Sequence, residues 1–382
     1  MRFKAIRAFL AGLTAMAIFG ACATDVPGST AYTPTADFLW EEVGDGVKIT
    51  WYGGRATSVT VPSSIRGMPV VEIGENAFSG NQLVRVSIPD SVARIGGGAF
   101  RNNRLTNVFV GNGVTSIGEE AFRGNLLSGV TIGAAVVGIG DGAFRDNRLS
   151  GVTIPESVRV IGNSAFRGNQ LAGIVIPGRV ITIGNSAFRD NRIVSLVIPD
   201  SVTAIGAEAF RNNRIVSVSI GDGVTALEPG TFRDNMITSV ALGRNVRRID
   251  GGDDVLGGGA FQNNRLATLP AADGLASIGA RAFESNLLTG AAIGNSVTSI
   301  GERALANNPL TGVTIGNGLS AIHGSVFSGS LRGLSMISIG ANVRLSDFSE
   351  GVLEEFSAAY SSGGNRAGVY SLEGGAWRFS AR

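Results

Sequence analysis

The large apolar residues of this chain fall on a fixed beat. Phe78, Phe100, Phe122, Phe144, Phe166, Phe188, Phe210, Phe232, Phe261, Phe283, Leu305 and Phe327 are spaced 22 residues apart, except from Phe232 to Phe261, where the step is 29. That exception is one period plus a seven-residue insertion. A unit so short cannot bury its own apolar face and must stack on its neighbours, which predicts a repeat solenoid. A solenoid presents a long regular surface, so the pattern favours binding over pocket chemistry.

One unit, residues 147–169, reads NRLSGVTIPESVRVIGNSAFRGN. Leu149, Val152 and Ile154 fit the strand template of a leucine-rich repeat, and the Val-x-Ile alternation sends both side chains to one face. Stacked units then place these short strands side by side in a parallel sheet on the concave side. Pro or Gly follows at once, as at Pro155, Pro177 and Gly221, and ends the strand. A second apolar pair such as Val158 and Ile161 comes next, then a glycine where a Cβ would be unwelcome. Ala165-Phe166 is expected to fill the interior from the convex side, in a turn or short 3₁₀ segment.

Polar positions keep the same beat. Asn81, Asn103, Asn125, Asn147, Asn169, Asn191, Asn213, Asn235, Asn264, Asn286 and Asn308 each stand three residues after the large apolar residue. Beside the core, such a column reads as a structural ladder that satisfies buried backbone groups. Arg101, Arg123, Arg145, Arg167, Arg189, Arg211 and Arg233 directly follow the Phe, and Arg104, Arg148, Arg192, Arg214 and Arg265 form a second column. Two readings stay open for this edge: stems covering the Phe with solvated heads, or a candidate binding edge for a polyanion or acidic protein. The outward strand positions Ser87, Thr131, Thr153, Val175, Val197 and Ser219 are small and uncharged, and the face lacks the aromatics of a strong sugar groove.

The pattern L-x-x-V-x-I-P-x-x-V-x-x-I-G-x-x-A-F closely resembles the BspA-like leucine-rich repeats of bacterial surface proteins, including treponemal lipoproteins, over residues 59–340. The resemblance implies a surface-exposed adhesin that binds host extracellular-matrix proteins or other cells. It extends to the terminal modules. Residues 37–58 read as a capping hairpin around Gly44-Asp45-Gly46, and residues 341–382 as a second cap in which Val352, Leu353, Phe356 and Tyr360 have helical spacing. Trp40, Trp51 and Trp377 all fall in these caps, where they fill core or form an aromatic cage.

Composition changes the picture mainly at the amino terminus. Arg2, Lys4 and Arg7 precede an apolar run over residues 8–18 and then Phe19-Gly20-Ala21-Cys22, which reads as a signal peptide over residues 1–21. The run is too short for a transmembrane span, which needs about 20 residues. Cys22 is the only cysteine, so no internal disulfide can form, and its setting resembles a lipobox in which Cys22 becomes the lipidated amino terminus. Residues 22–36 then form a flexible tether. Without the signal, 29 basic residues face 30 acidic ones, so the apparent basicity disappears and nothing global argues for nucleic acid.

Candidate chemistry is sparse. His323, the one histidine, has no partner at metal-ligand or catalytic spacing in sequence, no Ser–His arrangement stands out, and the repeated glycines lack the Lys-Ser/Thr of a phosphate loop. The insertion near residues 250–257 carries Asp250, Asp253 and Asp254, which read as a solvated bulge or a Ca²⁺ loop. The expectation is a non-enzymatic binding protein without catalytic, cofactor or metal site, held to the membrane by lipid alone. Its partners would be extracellular-matrix or cell-surface proteins; the alternative is a periplasmic or outer-membrane interaction scaffold.

Overall fold

Each 22-residue unit closes one coil, and each coil repeats its hydrogen bonds one period later. The computed structural model describes residues 33–252, 257–271, 273–348 and 351–381. Cys22, the signal peptide, most of the tether, Asp253 and Asp254 therefore lie outside the described residues. The coils run as a solenoid of parallel strands around a buried apolar interior. In the unit above Leu149, Ile154, Val158, Ile161, Ala165 and Phe166 are buried, and Val152 packs against them half-buried.

Two strand columns run along the coils rather than the single one legible in the sequence. The first contains Arg85–Ser87, Asn107–Phe109 and Gly129–Thr131, resumes at Ser195–Ile198, Ser217–Ile220 and Ser239–Ala241, and resumes again at Gly290–Ile293 and Gly312–Ile315. The second is built from two-residue strands at the Val-x-x-Ile segment, and it is the more continuous. From Met68–Ile73 it runs through Arg94–Ile95, Ser116–Ile117, Gly138–Ile139, Val160–Ile161 and Thr182–Ile183 to Ala204–Ile205 without a break. From Ile73 to Ile205 Ile pairs with Ile between successive coils, as Ile161 with Ile183, and further on Leu227 meets Ile249. The insertion leaves this register intact, since Ile249 still meets Ile278.

A glycine follows most of the second strands, with Glu228 and Asp250 in its place after Leu227 and Ile249, and where it stands close approach demands it. A Cβ at Gly184 would stand 2.5 Å from the Asn163 nitrogen and 2.6 Å from the Gly162 carbonyl carbon. After that glycine, the Ala-Phe pair sits in hydrogen-bonded turns, and among the described coils only Gly324–Phe327 tightens into a 3₁₀ segment. Two residues in most coils adopt positive φ around this pair, for example Glu120 and Gly124, or Glu208 and Asn212.

Inside, the phenylalanine rings form a stack. From Tyr52 through Phe78 to Phe283, successive centroids are 4.9–5.7 Å apart with planes within 24° of parallel. The stack ends where Leu305 takes the ring's place. At the amino-terminal end the antiparallel hairpin Phe38–Val43 and Gly46–Tyr52 adds to the second column through Met68–Ile73 and supplies Tyr52 as the first ring. At the other end Met336–Ile339 pairs antiparallel with Gly368–Glu373, which pairs with Ala376–Ser380. The helix Val352–Ser362 buries Leu353, Phe356 and Tyr360. The tryptophans divide: Trp377 packs on Phe356, Trp40 is half-buried beneath the Arg66 guanidinium, and Trp51 is 53% exposed, so it is not core filling.

Candidate functional site

The asparagine column faces inward. From Asn103 to Asn308 ten side chains are buried, and each uses its amide in the same way. Asn147 Nδ2 donates to the Phe122 carbonyl of the preceding coil at 2.9 Å and to the Phe144 carbonyl of its own at 3.1 Å. Its Oδ1 accepts from Leu127 N at 3.1 Å. Asn264 bridges the insertion with the same bonds, to Phe232, Phe261 and Ile237. Asn81, at the edge, is half-buried and donates to the Tyr52 carbonyl of the hairpin. Donors and acceptors so used leave no side chain to meet a ligand.

The first arginine column is an ion-pair network rather than a row of solvated heads. Glu120 joins Arg101 and Arg123, and Asp146 joins Arg123 and Arg145. Asp190 joins Arg167 and Arg189, Glu208 joins Arg189 and Arg211, and Asp234 joins Arg211 and Arg233. Among the described residues, seven guanidiniums thus share five carboxylates. Burial opposes the charge on Arg211, but hydrogen bonds to Glu208 and Asp234 outweigh it and hold the guanidinium above its ordinary value. Both glutamates stand at positive φ, unusual for so long a side chain, and that backbone aims them between two coils.

The second column differs. Arg104, Arg148, Arg192, Arg214 and Arg265 are exposed, and among the described residues none of their side chains has a hydrogen-bond or ion-pair partner. Their backbones are fixed nonetheless. The amide of each donates to a carbonyl one coil back: Arg104 to Leu83, Arg148 to Leu127, Arg192 to Leu171, Arg214 to Ile193 and Arg265 to Ile237, at 2.8–3.0 Å.

Beside this column lies the outward face of the first strands. Ser87, Thr131, Thr153, Val175 and Val197 are exposed there, Val175 to 79%, and Ser219 is half-exposed. Phe109 also points outward and is 48% exposed, so the face does carry an aromatic. The alternation of its strand, with Val108 inward, could have shown this.

The structure brings His323, Ser325 and Asp347 together, which the sequence did not suggest. His323 Nδ1 lies 2.7 Å from Ser325 Oγ and accepts from Ser325 N at 3.2 Å, capping the 3₁₀ segment, while Nε2 is 3.7 Å from Asp347 Oδ2. The trio is open to solvent on a coil edge, and its histidine is engaged in holding a turn. Among the described residues no group of three or more His, Cys, Asp or Glu side chains could hold a metal ion. No helix among them is long and apolar enough to cross a membrane.

No curated protein matches the chain. Among solved structures it is similar to a leucine-rich cell surface protein from Faecalibacterium prausnitzii, with 21% identity over 83% of this chain and 90% of that one and a TM-score of 0.42. It is similar to the leucine-rich repeat protein of T. pallidum, with 28% identity over 57% of this chain and 84% of that one and a TM-score of 0.28. The pneumococcal vaccine antigen PcpA shares 16% identity over 85% of this chain and 94% of that one, with a TM-score of 0.47. The BspA type leucine-rich repeat region matches in six copies over residues 50–172, 160–252 and 254–351. With its repeat matched along most of its length and each repeat position accounted for in the coil, the chain belongs to the BspA-type leucine-rich repeat family.

Proposed function

We propose that this chain is an exported, lipid-anchored cell-surface protein that binds extracellular-matrix or other cell-surface proteins through its repeat surface. The observation that carries the reading is the first-strand face. Coil after coil it presents small or apolar side chains, uncharged apart from Arg85, with Phe109, Val175 and Val197 standing out from it. Such a face suits broad contact with a protein, many weak increments adding along the coils. The family, the signal sequence and Cys22 support the location.

Protease treatment of intact cells tests it. The chain should be degraded without lysis, and Cys22→Ser should release it from the membrane fraction or stall it as precursor. Protection from protease would instead favour the periplasmic scaffold. On the isolated chain, Thr131→Trp, Thr153→Trp and Val175→Trp together should abolish binding to immobilised matrix proteins; unchanged binding would remove this face from the reading.

A further inference from the structure

The two arginine columns differ in a way that bears on what the edge can bind. In the first, every guanidinium already has carboxylate partners, so an incoming anion would have to displace a neighbour on the same coil or the next. In the second, five exposed guanidiniums have no partner among the described residues while their backbones are locked into the ladder. The acids that stand two residues before Arg148 and Arg192, Asp146 and Asp190, are taken by the first column, and Arg104, Arg214 and Arg265 have Asn at that position.

Position along the coils follows from the repeat. Arg104, Arg148 and Arg192 sit on alternate coils, Arg214 on the next, and Arg265 two coils further, because the intervening positions are Leu126, Gln170 and Met236. At about 4.8 Å per coil the first three are about 10 Å apart, and the row spans about 34 Å. We infer that this second column is a binding row for a linear anionic polysaccharide, bearing sulfate or carboxylate groups and lying along the coil axis. Periodic cations on a rigid backbone match a polymer whose charges also recur. An acidic protein surface offers no such regular spacing, and a single-stranded nucleic acid would call for repeated aromatic platforms, whereas Phe109 is the one exposed aromatic among the described residues of the first-strand face. Guanidinium forks bind such oxyanions in two-point contacts, and their exposure makes the attraction dependent on salt. The inference rests on reading the chain as a surface binding protein, and it adds a partner class on a surface separate from the strand face.

The test uses the full-length chain and immobilised heparin as the probe. Arg148→Gln, Arg192→Gln and Arg214→Gln combined should weaken binding at physiological salt by about tenfold or more. A control triple, Arg159→Gln, Arg179→Gln and Arg332→Gln, removes the same charge from exposed positions elsewhere and should bind like the parent. Circular dichroism and thermal melting confirm that each variant is folded, as is expected where no side-chain bond is lost. Equal weakening in both triples, or no retention of the parent chain, overturns the row, as does displacement from heparin by polyglutamate as readily as by soluble heparin. Retention is measured on the isolated chain, so a negative result leaves the protein-binding strand face standing. Protection from protease on intact cells would sink the surface reading without altering retention.

Discussion

A buried carboxamide is costly unless both its ends are used, and here both are, ten times over. Asn147 satisfies two carbonyls and one amide that belong to two different coils, so its side chain acts as a clamp between them. Asn147→Ala should strand those groups and cost about 1–3 kcal/mol, read as a lower denaturant midpoint; an unchanged midpoint would mean the groups find other partners. The column was legible because one residue type recurs at one spacing after a large apolar residue, Phe in every coil but that of Leu305. The partners of the arginines were not. Glu120 and Glu208 are ordinary acids in the sequence, and only the positive φ of their backbone and the stacking of coils put each between two guanidiniums. Phe109 is hard to see in the sequence because neighbouring coils carry Ser87 and Thr131 at its position, so an exposed aromatic stands in a small-residue pattern.

At the scale of the element, the second strand column shows how little sequence a strand needs when its neighbours are in register. Two residues give no alternation to read, yet they pair coil after coil because the parallel ladder is continued on both sides. Its tight spacing depends on the glycine that follows. Gly184→Ala should push adjacent coils apart and destabilise by about 1–3 kcal/mol, since the new Cβ would meet backbone at 2.5 Å. Gly178, with nothing within 4 Å of its would-be Cβ and no positive φ, provides the contrast. Gly178→Ala should leave stability unchanged or raise it by up to about 1 kcal/mol through the unfolded chain. Thermal melting of the two variants side by side checks the pair, and equal melting temperatures would refute the close-approach argument. Of the first column's two interruptions, the one before Gly290–Ile293 has an equally local reason: at residues 266–271 Leu269-Pro270-Ala271 replaces the usual Val-x-Ile, removing a ladder donor and an interior side chain.

For the whole molecule, the two ends explain why the solenoid does not simply continue. Tyr52 opens the ring stack from a hairpin, and at the far end Tyr370 crosses Phe356 and Tyr360 edge-on, so the run of parallel rings gives way to a crossed packing. Between these ends, each coil touches only the next, and the seven extra residues at the insertion are absorbed without disturbing the ladder on either side. That arrangement has a mechanical meaning. Pulled from its ends, the chain should peel rather than rupture, because the load falls on one inter-coil seam at a time. Each 22-residue coil, once freed, pays out about 75 Å of extended chain from a slot about 5 Å thick. Force spectroscopy should record a sawtooth of increments near about 70 Å, broken once by a tooth near about 95 Å from the 29-residue coil; a single large rupture would contradict coil-by-coil release. A protein built this way yields length under tension while its remaining coils keep their surface, acting as a tether that lengthens before it lets go.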